Sequence, residues 1–351
     1  MKIIKVKERK VKPDFEKLGF GKFFTDYMLV MDYEDGAWKE PVICPYEDFK
    51  MSPATTCLHY AQGIFEGLKA YKDENGNITL FRPRDNFKRM NNSAKRLCMP
   101  TLDEEVVLAA LKELILLEKD WIPVGGGRAL YIRPTMIGTE PVLGVHSSHA
   151  YKFYIILSPV GSYYAHGLEP TKIYVETEYV RAPIGGTGEA KCMGNYAASL
   201  LAGEQAKTKG YDQVLWLDAK ERKNVEEVGS MNMFFVIDGV VVTPALCGSI
   251  LPGITRDSII KMLRKDGYKV EERKISINEI VKAAKKGKLN EAFGSGTAAV
   301  VSPVGSLGYK GEDIIINNNE MGKITKYAYD KLTGIQNGRL KDEFDWVFKV
   351  N

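Results

Sequence analysis

Strand-length apolar runs, each closed within a few residues by an Asp-Gly or Asn-Gly pair, recur along this chain and commit it to a fold rich in β-hairpins. Asp35-Gly36 lies between YMLVMDYE and AWKEPVI, Asn75-Gly76 between AYKDE and NITLF, and Asp238-Gly239 between MFFVI and VVVTP. Such pairs supply the positive φ that a tight hairpin turn needs. ALYIRPTMIG, FYIILSPVG, IYVETEYVRA and QVLWLD read as further strands. Helices are predicted between them. Thr101 and Glu104 form a capping box before VVLAALKELILLEK, where Val106, Val107, Ala110, Leu111, Leu114 and Leu117 repeat at helical spacing. Another helix spans about 196–209 and ends at Gly210, one follows Thr255, and one is capped by Ser276 and Glu279. The expected class is α/β of the mixed α+β kind.

With 351 residues the chain should form two domains. The segment SYYAHGLEP, with its glycine, proline and small residues, is the expected linker. The predicted boundaries are a smaller, strand-rich N-terminal domain over 1–160, a linker over 161–172 and a larger C-terminal domain over 173–351. A net charge of +4 spread over this length is too weak a field to argue for nucleic acid. The longest apolar run, Met233 to Ile237, cannot span a bilayer. Five cysteines at long spacings, with no CxxC pair, fit a reduced cytoplasmic protein. The basic N-terminus MKIIKVKERKVK lacks the apolar core of a secretory signal and reads as a solvated strand or tail. KAAKKGK, over 282–288, reads as the basic end of a helix.

Chemistry is suggested where glycine meets hydroxyl or charge: Gly185-Gly186-Thr187-Gly188-Glu189-Ala190-Lys191, Leu251-Pro252-Gly253-Ile254-Thr255 and Gly294-Ser295-Gly296-Thr297. Backbone N–H groups beside a helix start suit a phosphate. The first loop fails the Walker A pattern, because Ala190 and Cys192 flank its lysine, and it lacks the third glycine of GxGxxG. Gly294 to Ala299 meets only the loosest GxGxxA form. HExxH and GxSxG are absent, and His146-Ser-Ser-His149 has no acidic or cysteine neighbour in sequence, so no metal is expected. Lys191, after three glycines and before a helix, sits at the mouth of a loop. A lysine nucleophile must lose its proton near neutral pH, which from an ordinary value of ~10.4 costs about 4 kcal/mol and requires burial or a neighbouring cation.

Nearly the whole chain, from GFGKFFTDYMLVMDY at Gly19 to TGIQNGR at Arg339, resembles the branched-chain amino acid aminotransferases, pyridoxal 5'-phosphate (PLP) enzymes of fold type IV. The segments that carry the resemblance are HYAQGIFEGLKAY, LYIRPTMIGTEPVLGV, YVRAPIGGTGEAKCMGNYAAS, QVLWLD, EVGSMN, LPGITRDSI and FGSGTAAVVSPV. They look closest to the branch holding the animal enzymes and many bacterial relatives. The resemblance implies transamination between Leu, Ile or Val and 2-oxoglutarate in a ping-pong cycle, serving branched-chain amino acid synthesis or breakdown. It gives Lys191 the covalent attachment of PLP and the proton transfer between the substrate Cα and the cofactor C4′. Glu227 pairs with the pyridine nitrogen, Tyr196 bonds the cofactor phenolate, and Arg89, Ile254, Thr255 and Thr297 hold the phosphate.

For the substrate, the resemblance assigns a pocket of Phe65, Tyr131, Arg133, Tyr163, Thr297 and Ala298, with Arg133 accepting the distal carboxylate of glutamate or 2-oxoglutarate. Tyr131 and Arg133, two apart on a strand, project from one face while Leu130 and Ile132 take the other. Tyr60, Leu143 and Val145 are implied to reach the pocket of a neighbouring subunit, hence a homodimer. Read from the residues alone, other roles stay open. Glu227 could form a solvated acidic pair with Glu226, Arg89 could be helix surface among Lys88, Lys95 and Arg96, and Thr255 could be an ordinary N-cap. Phe65, Leu143 and Val145 could be core. Animal relatives carry a redox-active CxxC where this chain has Ala299 and Ser302, so no switch of that kind is expected. Two rivals are an enzyme of the same fold acting on a D-amino acid or aminodeoxychorismate, and a non-catalytic phosphate-binding protein.

Overall fold

The computed structural model describes residues 1–161 and 168–351. The chain divides into two compact units. The first takes Met1–Ala165, Ala190–Met193 and Gly334–Asn351, and the second His166–Glu189 and Gly194–Thr333. The first is therefore the larger, not the smaller, and it takes back two stretches that the predicted boundaries give to the C-terminal domain.

Hydrogen bonding explains both returns. The segment around Lys191 is stitched to the first unit by Phe65 N donating to Lys191 O at 3.0 Å, Lys191 N donating to Ser93 Oγ at 2.9 Å and an antiparallel bridge between Ile64 and Cys192. Cys192 is buried in that unit's hydrophobic core. At the C-terminus, the strand Val347–Lys349 pairs antiparallel with Ile78–Phe81, and Val350 joins the same core.

Among the described residues the first unit has one ten-stranded sheet, whose main path runs Lys2–Ile3, Val42–Pro45, Tyr27–Glu34, Tyr151–Val160, Ala129–Gly138, Leu68–Lys72, Ile78–Phe81 and Val347–Lys349. The hairpin at Asp35-Gly36 is tight, with φ of 55° and 79°. The one at Asn75-Gly76 is wider, because the Asp73 carboxylate gathers the backbone N–H of Asn75 and Asn77 into a longer loop. Helices Pro83–Arg96 and Glu104–Leu117 bury Phe87, Met90, Leu111 and Leu114 in the core. The N-cap of the second helix is Asp103, which accepts from Glu105 N and Val106 N, and not Thr101. The buried face differs from the expected stripe at its rim: Val106 is 43% exposed, while Leu108 and Ile115 are buried.

The second unit is built on nine strands, counted among the described residues. Six of them close on themselves: Val225–Val228, Gln213–Leu217, Thr171–Val175, Val300–Tyr309, Leu289–Gly296 and Met231–Ile237, the last pairing back to the first. Closure leaves no free edge along this ring, and the stacked, fully buried rings of Phe234 and Phe293 fill its wall. Three expectations change here. The strand expected over IYVETEYVRA stops at Val175, because the buried Glu176 carboxylate accepts from Glu178 N and Tyr179 N and turns the chain. The helix expected over 196–209 is two, Met193–Ala197 and Leu200–Thr208, broken where Ser199 Oγ donates to Tyr196 O. Gly294-Ser295-Gly296 is strand, and the turn is the Thr297–Ala299 segment after it.

Candidate active site

In the first unit, Lys191 is surrounded by residues from two strands and a helix, and by Glu66 between elements. Its Nζ stands 4.8 Å from the centroid of the Phe65 ring, at the end of strand Gly63–Phe65. The Arg133 guanidinium stands 4.8 Å from the same ring. Arg133 donates to Tyr131 Oη at 2.9 Å, so both side chains leave the strand Ala129–Gly138 on one face, while Leu130 and Ile132 enter the core. Tyr131 is seated against Gly67, where an added Cβ would lie 2.1 Å from the phenol oxygen, so a larger residue would displace the ring. Arg133 Nε is buried without a hydrogen-bond partner, an unmet donor facing this group.

Arg89 lies on helix Pro83–Arg96 and is 7% exposed, while Lys88, Lys95 and Arg96 beside it face solvent, so it is not helix surface. Its Nε and Nη2 donate to the fully buried Glu66 carboxylate at 2.7 and 2.9 Å. Asn86 Nδ2 adds a bond at 2.9 Å. Burial works against the Glu66 charge, but Arg89, the Lys191 amine and Asn86 outweigh it and hold the carboxyl below its ordinary range. Burial, with the repulsion of Arg89, lowers Lys191 to about 8, against the pull of Glu66 and Tyr131. At pH 7 roughly a tenth of such amines are neutral, against a few in ten thousand for an ordinary lysine. The amine is thus prepared for nucleophilic work.

The second unit carries a separate group. Glu227 is buried, and so is Glu226, so the two are not a solvated pair. Glu227 accepts from Leu251 N at 2.9 Å and Asn232 Nδ2 at 3.2 Å, and it meets Arg181 Nε at 2.6 Å. Arg181 is held in turn by the carbonyls of Gly188 and Ser249. Gly188 is obligatory, since an added Cβ would lie 2.1 Å from Ser249 O. Tyr196 and Glu227 line one small cavity together with Arg181, Asn195 and Leu251. Three residues past Leu251, Ile254 and Thr255 open the helix Ile254–Lys265, whose N-cap is Gly253, so Thr255 is a buried first-turn residue and not the cap. Its unpaired N–H groups and dipole suit an anion. Thr297 and Ala298 sit in the turn that ends at Val300, a β-branched residue at φ 64° whose neighbour Val301 N donates back to Ala299 O. Left-handed valine is strained, and such strain gathers at functional turns.

Tyr60, Leu143 and Val145 are exposed, so they are not core, and Tyr60 Oη donates to Leu143 O. Tyr163 lies outside the described residues. Sequence reasoning missed Glu66, Lys69, Arg181 and Asn232. All four are buried polar groups; Glu66, Arg181 and Asn232 find partners elsewhere in the chain, and Glu66 and Lys69 stand within HYAQGIFEGLKAY. The histidine pair is also corrected: the loop returns so that the Glu140 carboxylate lies 4.0 Å from His146 Nδ1 and 3.2 Å from His149 Nδ1.

Residues 63–307 match the family model for amino-transferase class IV. The chain is 60% identical over 352 aligned positions to a probable branched-chain-amino-acid aminotransferase of Staphylococcus epidermidis, covering 100% of this chain and 98% of that protein. It is 56% identical to branched-chain-amino-acid aminotransferase 2 of Bacillus subtilis, covering 97% and 94%. Among solved structures it is similar to the branched-chain amino acid aminotransferase from Escherichia coli, with a TM-score of 0.74, 29% identity and coverage of 93% of this chain and 99% of that one. Class IV aminotransferases work with PLP. With its half-buried lysine and buried carboxylate among the matched residues, this chain belongs to the class IV aminotransferase family, in the group of the branched-chain amino acid aminotransferases.

Proposed function

We propose that this protein transfers the amino group of leucine, isoleucine or valine to 2-oxoglutarate in a ping-pong cycle, with PLP held on Lys191. The observation that carries this reading is the Lys191 amine, lowered to about 8 between Arg89, Glu66 and the Phe65 ring. The residues present suit the cofactor: an amine able to attach it, a buried carboxylate for a protonated ring nitrogen, and a helix start with hydroxyls for a phosphate. Bound PLP supplies an electron sink for the pair released when the substrate Cα–H bond breaks.

The chain's own residues do the rest. Lys191 would attach PLP and, freed by the substrate, serve as the base that moves the proton between the substrate Cα and the cofactor C4′. Glu227, which meets Arg181 Nε and accepts from the Leu251 N–H, would pair with the ring nitrogen. Tyr196 would bond the phenolate, and Arg89, Ile254, Thr255 and Thr297 would hold the phosphate, at about 1.5–3 kcal/mol for each charge-assisted bond. Phe65, Tyr131, Tyr163 and Ala298 are assigned to the branched side chain of the substrate. The Arg133 guanidinium, with its unmet Nε, accepts the distal carboxylate of glutamate or 2-oxoglutarate.

The reading includes a homodimer in which Tyr60, Leu143 and Val145 reach the neighbouring subunit's pocket. Leu143 and Val145, at 64% and 83% exposed, are costly in water unless another surface covers them. It also places the protein in the cytoplasm. Its five cysteines carry free thiols, and among the described residues no helix is long and apolar enough to cross a membrane. A steady-state panel of amino donors with 2-oxoglutarate tests the activity: Leu, Ile and Val should turn over and D-alanine should not. Turnover confined to D-amino acids would overturn the substrate assignment.

A further inference from the structure

The loop between strands Ala129–Gly138 and Tyr151–Val160 gathers three metal-ligating groups that the transamination chemistry does not use. Of the four histidines in the whole chain, two, His146 and His149, sit in this loop. Glu140 stands at its opposite end. One ligand atom from each of the three lies within 4.8 Å of the others. Glu140 Oε2 is 3.2 Å from His149 Nδ1 and 4.0 Å from His146 Nδ1. Around a tetrahedral zinc ion with bonds of about 2.0–2.1 Å, neighbouring ligand atoms stand roughly 3.3 Å apart. One edge of the site therefore has that length already, and the others close by swinging exposed imidazole rings.

The carboxylate is held in place from its own backbone outward. Glu140 N donates to Ser148 Oγ at 3.2 Å, and Glu140 O accepts from Thr56 N at 3.0 Å. Ser148, buried between the two histidines, also donates its N–H to Gln62 Oε1 at 3.0 Å and its hydroxyl to Ala150 O at 2.6 Å. His149 N donates to Glu140 Oε2 at 2.7 Å, and that bond, more than any other contact, holds the carboxyl below its ordinary range. Two imidazoles with ring centroids 5.3 Å apart thus share one ionised carboxylate. His146 Nδ1 rests 2.9 Å from Ser147 O, a contact that ligation would replace. Glu140 and His149 also border an open groove, so a water can complete the coordination from outside.

We propose that Glu140, His146 and His149 bind a divalent ion of the zinc class. Two imidazoles and one carboxylate select zinc, cobalt or copper over magnesium or calcium, which prefer all-oxygen sites. An ion there would join the start of the loop to its end and bracket the exposed Leu143 and Val145 between its ligands. The inference does not rest on the proposed transamination, since ion binding is read without turnover.

The test is a titration of the holoenzyme, freed of metal by a chelator, with Co²⁺. Visible d–d absorption should saturate at one Co²⁺ per chain and be displaced by Zn²⁺. His146→Ala and His149→Ala should each weaken binding by about tenfold or more, and the double variant should abolish it. Cys98→Ser, in the bordering groove, should leave the titration unchanged. No saturable absorption, an unaltered titration in the double histidine variant, or loss of binding in Cys98→Ser alone would overturn the site.

Discussion

Lys69 and Lys191 belong to the same unit, and each amine is lowered to about 8, but their surroundings differ. Lys69 lies in mid-strand, directly across from Tyr131, and burial alone lowers it. For Lys191 burial is only the first cause, since Arg89 and Arg133 push its pKa down and Glu66 and Tyr131 push it up. A depressed pKa therefore does not by itself mark the reactive amine. What sets Lys191 apart is that an ion pair stands beside it, so its proton affinity can be tuned in both directions.

The largest effect that separates the two comes from deleting each amine. Lys191→Ala should abolish covalent PLP capture and reduce transamination to background with an unchanged circular dichroism spectrum. Lys69→Met should keep both capture and turnover. Turnover surviving in Lys191→Ala would reverse the comparison.

A smaller effect is a pair of opposed pH shifts. PLP capture by the apoprotein needs the neutral amine, so its rate should rise with pH through about 8 and then level off. Glu66 favours the charged amine, so Glu66→Gln should move that midpoint down. Arg89 disfavours it, so Arg89→Met should move the midpoint up. Stopped-flow capture across a pH series measures both, and shifts of the same sign would show that the ion pair does not tune the amine.

The smallest effect concerns the other cation on the Phe65 ring. Arg133→Ala should raise the KM for 2-oxoglutarate by about tenfold, near 1.4 kcal/mol, and leave a small aliphatic oxo acid nearly unaffected. Equal losses for both would remove Arg133 from side-chain recognition.

Much of this was legible in the chain because the signals are local. Asp35-Gly36 and Asp238-Gly239 close tight hairpins, Ser276 caps its helix by accepting from Glu279 N, and the Ala129–Gly138 strand follows its apolar run. Errors arose where a neighbouring side chain competed for the same role, as with Asp103 over Thr101 and the Glu176 carboxylate ending its strand. Long-range features were hidden. A buried Glu66 or Arg181 reads like a surface charge until its partner, many residues away, is seen. The ring closed by Val225–Val228 against Met231–Ile237 and the return of Lys191 to the first unit depend on pairings that periodicity does not encode. The approach of Glu140 to the two histidines depends on a loop anchored by Ser148.

Borohydride reduction of the PLP-loaded protein, followed by digestion and mass spectrometry, tests the central claim most directly. The account predicts one phosphopyridoxyl group per chain, on the peptide holding Lys191, with loss of the yellow absorbance and no label in Lys191→Ala. A label on Lys69, or a colourless protein that acquires none, would contradict it.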